Sequence, residues 1–190
     1  TPLEIVADVA GLDDQRPDAV ATVRGQVAVA TTHGVVRAIR VDPDEPSACP
    51  EALDAIAEAD MIVLGPGSWF TSVIAPLLVE ELAQAVAESP AKRVVVLNLV
   101  AQKGETTGFT AADYISALTG HIPGFTADAV VADPRSVADP AGLAQRCADE
   151  LGAELVVRPV AAPHGRDTHD PDLLAAAFAE ISGRDRIAPW

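Results

Sequence analysis

The chain is poor in aromatic rings, cysteine and positive charge. Aromatics make up 4% of its 190 residues, with one tyrosine, Tyr114, and one methionine, Met61. Its core must therefore come from Val, Leu, Ile and Ala, and alanine inflates the 49% hydrophobic fraction. Lys and Arg number 13 against 28 Asp and Glu, a net charge of -15 with a pI near 4.4. Such a surface repels phosphodiester backbones and anionic bilayers, which argues against sequence-independent nucleic-acid binding or adhesion to an anionic membrane. A nucleotide ligand is still allowed, because a few backbone N–H groups can hold a diphosphate inside an acidic protein. The two cysteines, Cys49 and Cys147, stand far apart without metal-ligand spacing, as in a cytosolic protein with reduced thiols. No apolar run has the length of a bilayer crossing, and no signal peptide opens the chain. Abundant alanine and proline with scarce lysine is the style of GC-rich coding and says nothing of function. The length suits one domain, or one with a small appendage.

In chain order, Thr1 to Ala10 begins without a methionine and with a strand-like pattern under way, so a fragment or processed product is expected. Val20 to Thr32 reads as extended, with Gly25 a turn or bulge, and His33-Gly34 as a hairpin-type turn before the alternating Val35 to Val41. Residues 1–48 thus form a β-rich portion, closed by the proline-rich Asp42 to Pro50. The period then changes. Short apolar runs at Met61 to Leu64, Arg93 to Val100, Asp128 to Ala132 and Glu154 to Val157 read as strands, the first buried on both faces. Helices are expected over Pro50 to Ala59, Pro76 to Glu88, Thr110 to Leu118, Asp139 to Leu151 and Asp170 to Ile181. Pro50, Pro140 and Pro171 sit at first-turn positions, and Thr110 with Asp113 forms a capping box. The alternation predicts an α/β fold with a parallel sheet over 49–182, part of the same domain as the β-rich portion. The tail 183–190 shows no pattern.

Parallel sheets take ligands beyond the carboxyl ends of their strands. The loops there are Gly65 to Ser72, Val100 to Thr110, Asp133 to Asp139 and Arg158 to Asp170, and they hold the unusual residues of the chain. Gly65-Pro66-Gly67-Ser68 ends a strand, and Thr71 and Ser72 follow. The glycines let backbone approach an anion, Ser68, Thr71 and Ser72 offer hydroxyls, and a helix start adds N–H groups. A strand-to-helix turn with capping hydroxyls explains the same residues. Asn98, at a strand end, either ties loops together or reaches a ligand. In the loop Gln102-Lys103-Gly104-Glu105-Thr106, Lys103 could meet a phosphate. Glu105 could act as a base, hold a ribose hydroxyl, or bond backbone N–H groups. Before the last helix, Arg166 can fork onto a phosphate or carboxylate, and Asp170 or Thr168 can cap the helix. Thr168 is also a phosphorylation acceptor beside a helix start. His164 and His169 with two aspartates lack a cysteine pair and helical His spacing, so no metal is assigned. His33 and His121 look like ordinary turn or surface histidines. No nucleophile-plus-base constellation, P-loop or full dinucleotide fingerprint is present, and the absence of an aspartate-rich metal loop favours a binding protein over an enzyme.

Leu64-Gly-Pro-Gly-Ser-Trp-Phe-Thr-Ser-Val-Ile74, Asn98-Leu with Ala101-Gln-Lys-Gly-Glu-Thr106, and Thr168-His-Asp170 resemble the gluconeogenesis factor family. These are bacterial YvcK-type proteins, relatives of the 2-phospho-L-lactate transferases of deazaflavin-coenzyme synthesis. The resemblance runs from about Val20 to about Phe178, and the alanine-rich style looks actinobacterial. It implies a Rossmann-like fold and a site for a nucleotide sugar, notably UDP-N-acetylglucosamine; no cofactor is assigned beside this UDP-sugar ligand. It implies a cytoplasmic regulatory role in gluconeogenic growth, cell shape and peptidoglycan precursor supply. A Ser/Thr kinase acting near the last helix, at Thr168, and a second copy in a homo-oligomer are the partners to expect. The ligand contacts implied are Gly65, Pro66, Gly67, Ser68, Thr71, Ser72, Asn98, Gln102, Lys103, Gly104, Glu105, Thr106, Arg166, His169 and Asp170. The alternative is a transferase of the 2-phospho-L-lactate type. Two departures stand out: the Gly-Gly-Gly loop that opens family members is absent, and the segment between Asp133 and Arg158 lacks their tyrosine.

Overall fold

A computed structural model describes residues 3–165 and 167–183. They fall into two compact units. One gathers 3–58, Gly67–Ser89 and Ala101–Gly108; the other gathers Ala59–Pro66, Pro90–Val100 and the described part of 109–183. The chain therefore passes between units after Glu58, Pro66, Ser89, Val100 and Gly108.

The first unit holds a three-stranded antiparallel sheet of β1 (Glu4–Ala10), β2 (Val20–Arg24) and β3 (Val35–Asp42). Its order is β2-β1-β3, so β1 is central. Val6, Val9, Val36, Ile39 and Val41 are buried, while Arg40 and Asp8 pair on the solvated side. A register shift at Asp8/Val9 explains why the buried positions of β3 jump from 36 to 39. The hairpin expected at His33-Gly34 is not formed, because β2 and β3 are not neighbours. Between them, Gln26–Ala30 is a short helix, α1, where an extended segment was expected. Gly25, at φ 91, gives its N–H to Ile5 and ends the ladder. An extended chain would put Val27 and Val29 on one face. The helix separates them, leaving Val29 fully buried and Val27 76% exposed.

After α2 (Pro50–Glu58), the same unit resumes at Gly67. The single helix expected over Pro76 to Glu88 is broken in two, and a further helical piece precedes it. Trp69–Ile74 is a π-helix, Ala75–Leu78 a 3-10 turn and Glu80–Glu88 an α-helix, α3. The wide first turn puts Trp69, Phe70, Val73 and Ile74 all inside. Pro76 has no N–H to continue a helical ladder, and Val79 is extended at φ -83, ψ 109.

The second unit is the parallel sheet that the sequence predicts. Its strands β4 (Met61–Leu64), β5 (Lys92–Val96), β6 (Ala129–Ala132) and β7 (Glu154–Val157) lie in chain order. The helices α4 (Ala111–His121), α5 (Pro140–Leu151) and α6 (Pro171–Ser182) start where their caps say. Thr110 and Asp113 form the capping box, Asp139 accepts from Gly142 N–H, and Asp170 from Asp172 and Leu173 N–H. One sheet face, with Val94, Val96, Ala129, Val131 and Val156, packs against Ala177 and Ile181 of α6. One expectation fails here. Among the described residues β4 is an edge strand paired only with β5, so Val63 is exposed and its neighbours half-buried, not covered on both faces. Among the described residues no single helix is long and apolar enough to cross a membrane.

Candidate functional site

Four strand ends define the carboxyl edge of the parallel sheet. β4 runs into Gly65-Pro66, with Gly65 at φ 83 and a cis peptide to Pro66. β5 runs into Leu97 and the half-buried Asn98, and β6 into Asp133. β7 leads to the segment Arg158 to Asp170.

That last segment, expected as an open loop, is a narrow hairpin. Asp170 N–H donates to the Val160 carbonyl and Ala162 N–H to the Thr168 carbonyl, each at 2.8 Å, with a bridge between Ala161 and His169. Asp133 pins its base. This carboxylate is 1% exposed and accepts Val160 N–H at 2.9 Å and Ala161 N–H at 3.0 Å on one oxygen. Its other oxygen accepts the backbone N–H of Arg135 at 2.9 Å and the Arg135 Nε at 3.0 Å. Burial pushes the carboxyl up, but those bonds outweigh it and hold the group below its usual range. Asp133 escaped the sequence reading, although an Asp directly after four apolar residues is the same signal that marked Asn98.

His169 is half-buried in this hairpin. Burial pushes its imidazole pKa down, against a hydrogen bond to the Leu97 main chain and the field of Asp133, which push it up. Its Nε2 is buried and has no hydrogen-bond partner among the described residues. The lowered pKa keeps the ring neutral at neutral pH. Thr168 is exposed beside it. Arg166, a predicted contact, lies outside the described residues.

The other predicted residues belong to the first unit. Glu105, 3% exposed, accepts Phe70 N–H at 3.1 Å and the Thr71 hydroxyl at 2.5 Å. Of the roles open to it, the carboxylate fills the one that binds backbone N–H at the start of the π-helix. The Ser68 carbonyl accepts Ser72 and Val73 N–H, so three amides of this helix start are already bonded. Ser72 is exposed and Ser68 half-buried, while Thr71 is buried on Glu105. The Gln102 to Thr106 loop is a tight turn: Gln102 N–H reaches the Thr106 hydroxyl at 2.9 Å, and Gly104 N–H the Thr107 hydroxyl at 3.1 Å. Gly104, at φ 105, lies so close to the Ala30 carbonyl that a Cβ would sit 2.6 Å from it. Lys103 is exposed, and the Gln102 Oε1 is buried with no partner among the described residues. Among the described residues no group of three or more His, Cys, Asp or Glu stands together as a metal site.

The fold and these positions meet known proteins in three comparisons. Residues 4–156 match the family described as 2-phospho-L-lactate transferase CofD. A Mycobacterium tuberculosis protein named as a gluconeogenesis factor is 46% identical over 185 residues, covering 96% of this chain and 54% of that protein. Its Mycobacterium leprae counterpart is 43% identical over 98% of this chain. The Bacillus subtilis gluconeogenesis factor is 36% identical over 55% of this chain. A crystal structure of a Bacillus halodurans protein superposes with a TM-score of 0.73 over 93% of this chain and 58% of that one, at 23% identity. The chain spans about half the length of the mycobacterial relatives.

Proposed function

We propose, on the premise that the chain belongs to the 2-phospho-L-lactate transferase CofD family and is related to gluconeogenesis factors, that it is part of a nucleotide-sugar-binding regulator. The ligand is of the UDP-N-acetylglucosamine kind, and the role is cytoplasmic: gluconeogenic growth, cell shape and supply of peptidoglycan precursors. The observation that carries this reading is the glycine turn at the end of β4. Gly65 at φ 83 and Gly67 at φ 153 put half-buried backbone without side chains just past a parallel strand, the place where such sheets take ligands. Asn98, His169 and Asp170 follow at the ends of the neighbouring strands and the start of α6. Thr168, exposed just ahead of α6, is the acceptor for a Ser/Thr kinase in this reading.

Calorimetric titration of the full-length protein with UDP-N-acetylglucosamine tests it. Saturable binding without turnover supports a regulator, and no binding overturns it. The second reading, a phospholactyl transferase, draws on the description of the matching family. Magnesium-dependent transfer to a deazaflavin acceptor would replace the first reading with the second.

A further inference from the structure

We propose that Arg135 is an anion-gripping residue at the carboxyl edge of the parallel sheet, its guanidinium aimed by the buried Asp133 and its outer nitrogens kept for a diphosphate. The inference rests on the reading of that edge as the ligand's place.

Among the described residues, seven arginine–carboxylate pairs occur. In six of them the arginine spends an outer nitrogen, Nη1 or Nη2, on a carboxylate that is 30% exposed or more. Pairs of that kind are worth little and exchange readily with water. Arg135 differs on both counts. It bonds through Nε alone, and its carboxylate is 1% exposed. Its backbone N–H is held by the same Asp133 oxygen, so main chain and side chain share one anchor. That anchor is itself fixed by Val160 and Ala161 N–H. Nη1 and Nη2 bond no described residue.

A guanidinium held at Nε presents its outer fork in a set orientation. That fork matches two oxygens of a phosphate, which a lysine ammonium does not. The position is three residues past the end of β6, beside strand ends where ligands of parallel sheets collect. In a chain of net charge -15, an outer fork left unspent beside a buried anchor also supplies local attraction for a dianion. The competing account is a solvated arginine that only decorates Asp133.

The test titrates UDP-N-acetylglucosamine and inorganic pyrophosphate separately into the full-length protein and into its Arg135→Gln and Arg135→Lys forms. Arg135→Gln is expected to weaken both ligands about tenfold or more, and Arg135→Lys to restore part of the loss. Thermal melting checks that substitution at this exposed side chain leaves the fold intact. Equal affinities in wild type and Arg135→Gln overturn the assignment while leaving the nucleotide-sugar reading standing. Pyrophosphate binding that depends on Arg135, without binding of the sugar nucleotide, keeps the assignment and overturns the nucleotide-sugar reading. A wild type that binds neither overturns both.

Discussion

Glu105 shows how one side chain can decide what a motif does. Its carboxylate satisfies a backbone N–H and a hydroxyl in a buried setting, so removing it strands both donors. Glu105→Ala is expected to cost about 2 to 3 kcal/mol of stability, read from urea unfolding of the full-length protein. Glu105→Gln keeps an acceptor and should cost less; equal losses would mean that packing, not the charge-assisted bonds, holds the loop. Gly104 is constrained from the other side. Its φ is 105, and the Ala30 carbonyl lies 2.6 Å from where a Cβ would stand, which leaves no room for a side chain. Gly104→Ala should therefore destabilise by more than about 1 kcal/mol in the same urea unfolding, whereas a glycine-to-alanine change at a permissive site stabilises.

At the scale of the element, the hairpin from Val160 to Asp170 responds to acid through two groups. His169 has a depressed pKa in the folded protein, so its contribution is present above the unfolded value near 6.5 and is lost as pH falls below it. Asp133 is also depressed, so its contribution holds above the ordinary carboxylate value and is lost only at more acid pH. Both changes loosen the hairpin in the same direction, His169 first. Hydrogen exchange at Ala162 and Asp170, corrected for intrinsic rates, should speed up as pH falls below about 6.5. A His169→Gln form should show a flatter profile over that range. An unchanged profile in the wild type would take His169 out of the hairpin's stability. The π-helix is the second lesson at this scale: four bulky side chains, Trp69, Phe70, Val73 and Ile74, are buried within one short element and set its wide turn, and Pro76 ends it.

For the molecule as a whole, the two thiols report on different environments. Cys49 is exposed and gives its S–H to Glu51 at 2.7 Å, whereas Cys147 is buried in α5 with its thiol pushed up to about 11 by burial. At about pH 8 iodoacetamide should modify Cys49 within minutes and Cys147 only as fast as the parallel-sheet unit opens. Modification of both at one rate in the native protein would contradict the buried position of Cys147. The edge position of β4 also belongs to this scale. Its outer side, next to the glycine turn, pairs with no other strand among the described residues, and natural proteins rarely leave such an edge uncovered.

Much of this protein was written locally. Prolines at first helical turns, Asp139, Asp170 and the Thr110–Asp113 box placed α4, α5 and α6, because a cap is satisfied within three residues of itself. Short apolar runs placed the four parallel strands, and the wording of the glycine and Gly-Glu-Thr loops pointed to the family. Other features waited for tertiary structure. Val27 and Val29 look alike in an alternating pattern, and only the burial of one and exposure of the other makes a helix. Met61 to Leu64 has the composition of a central strand, yet its exposure depends on which strands lie beside it. Glu105 meets Phe70 and Thr71 across 35 and 34 residues, and Asp133 meets Val160 across 27. Periodicity and capping are encoded by neighbours in the chain, whereas the partner of a buried charge is fixed by neighbours in space.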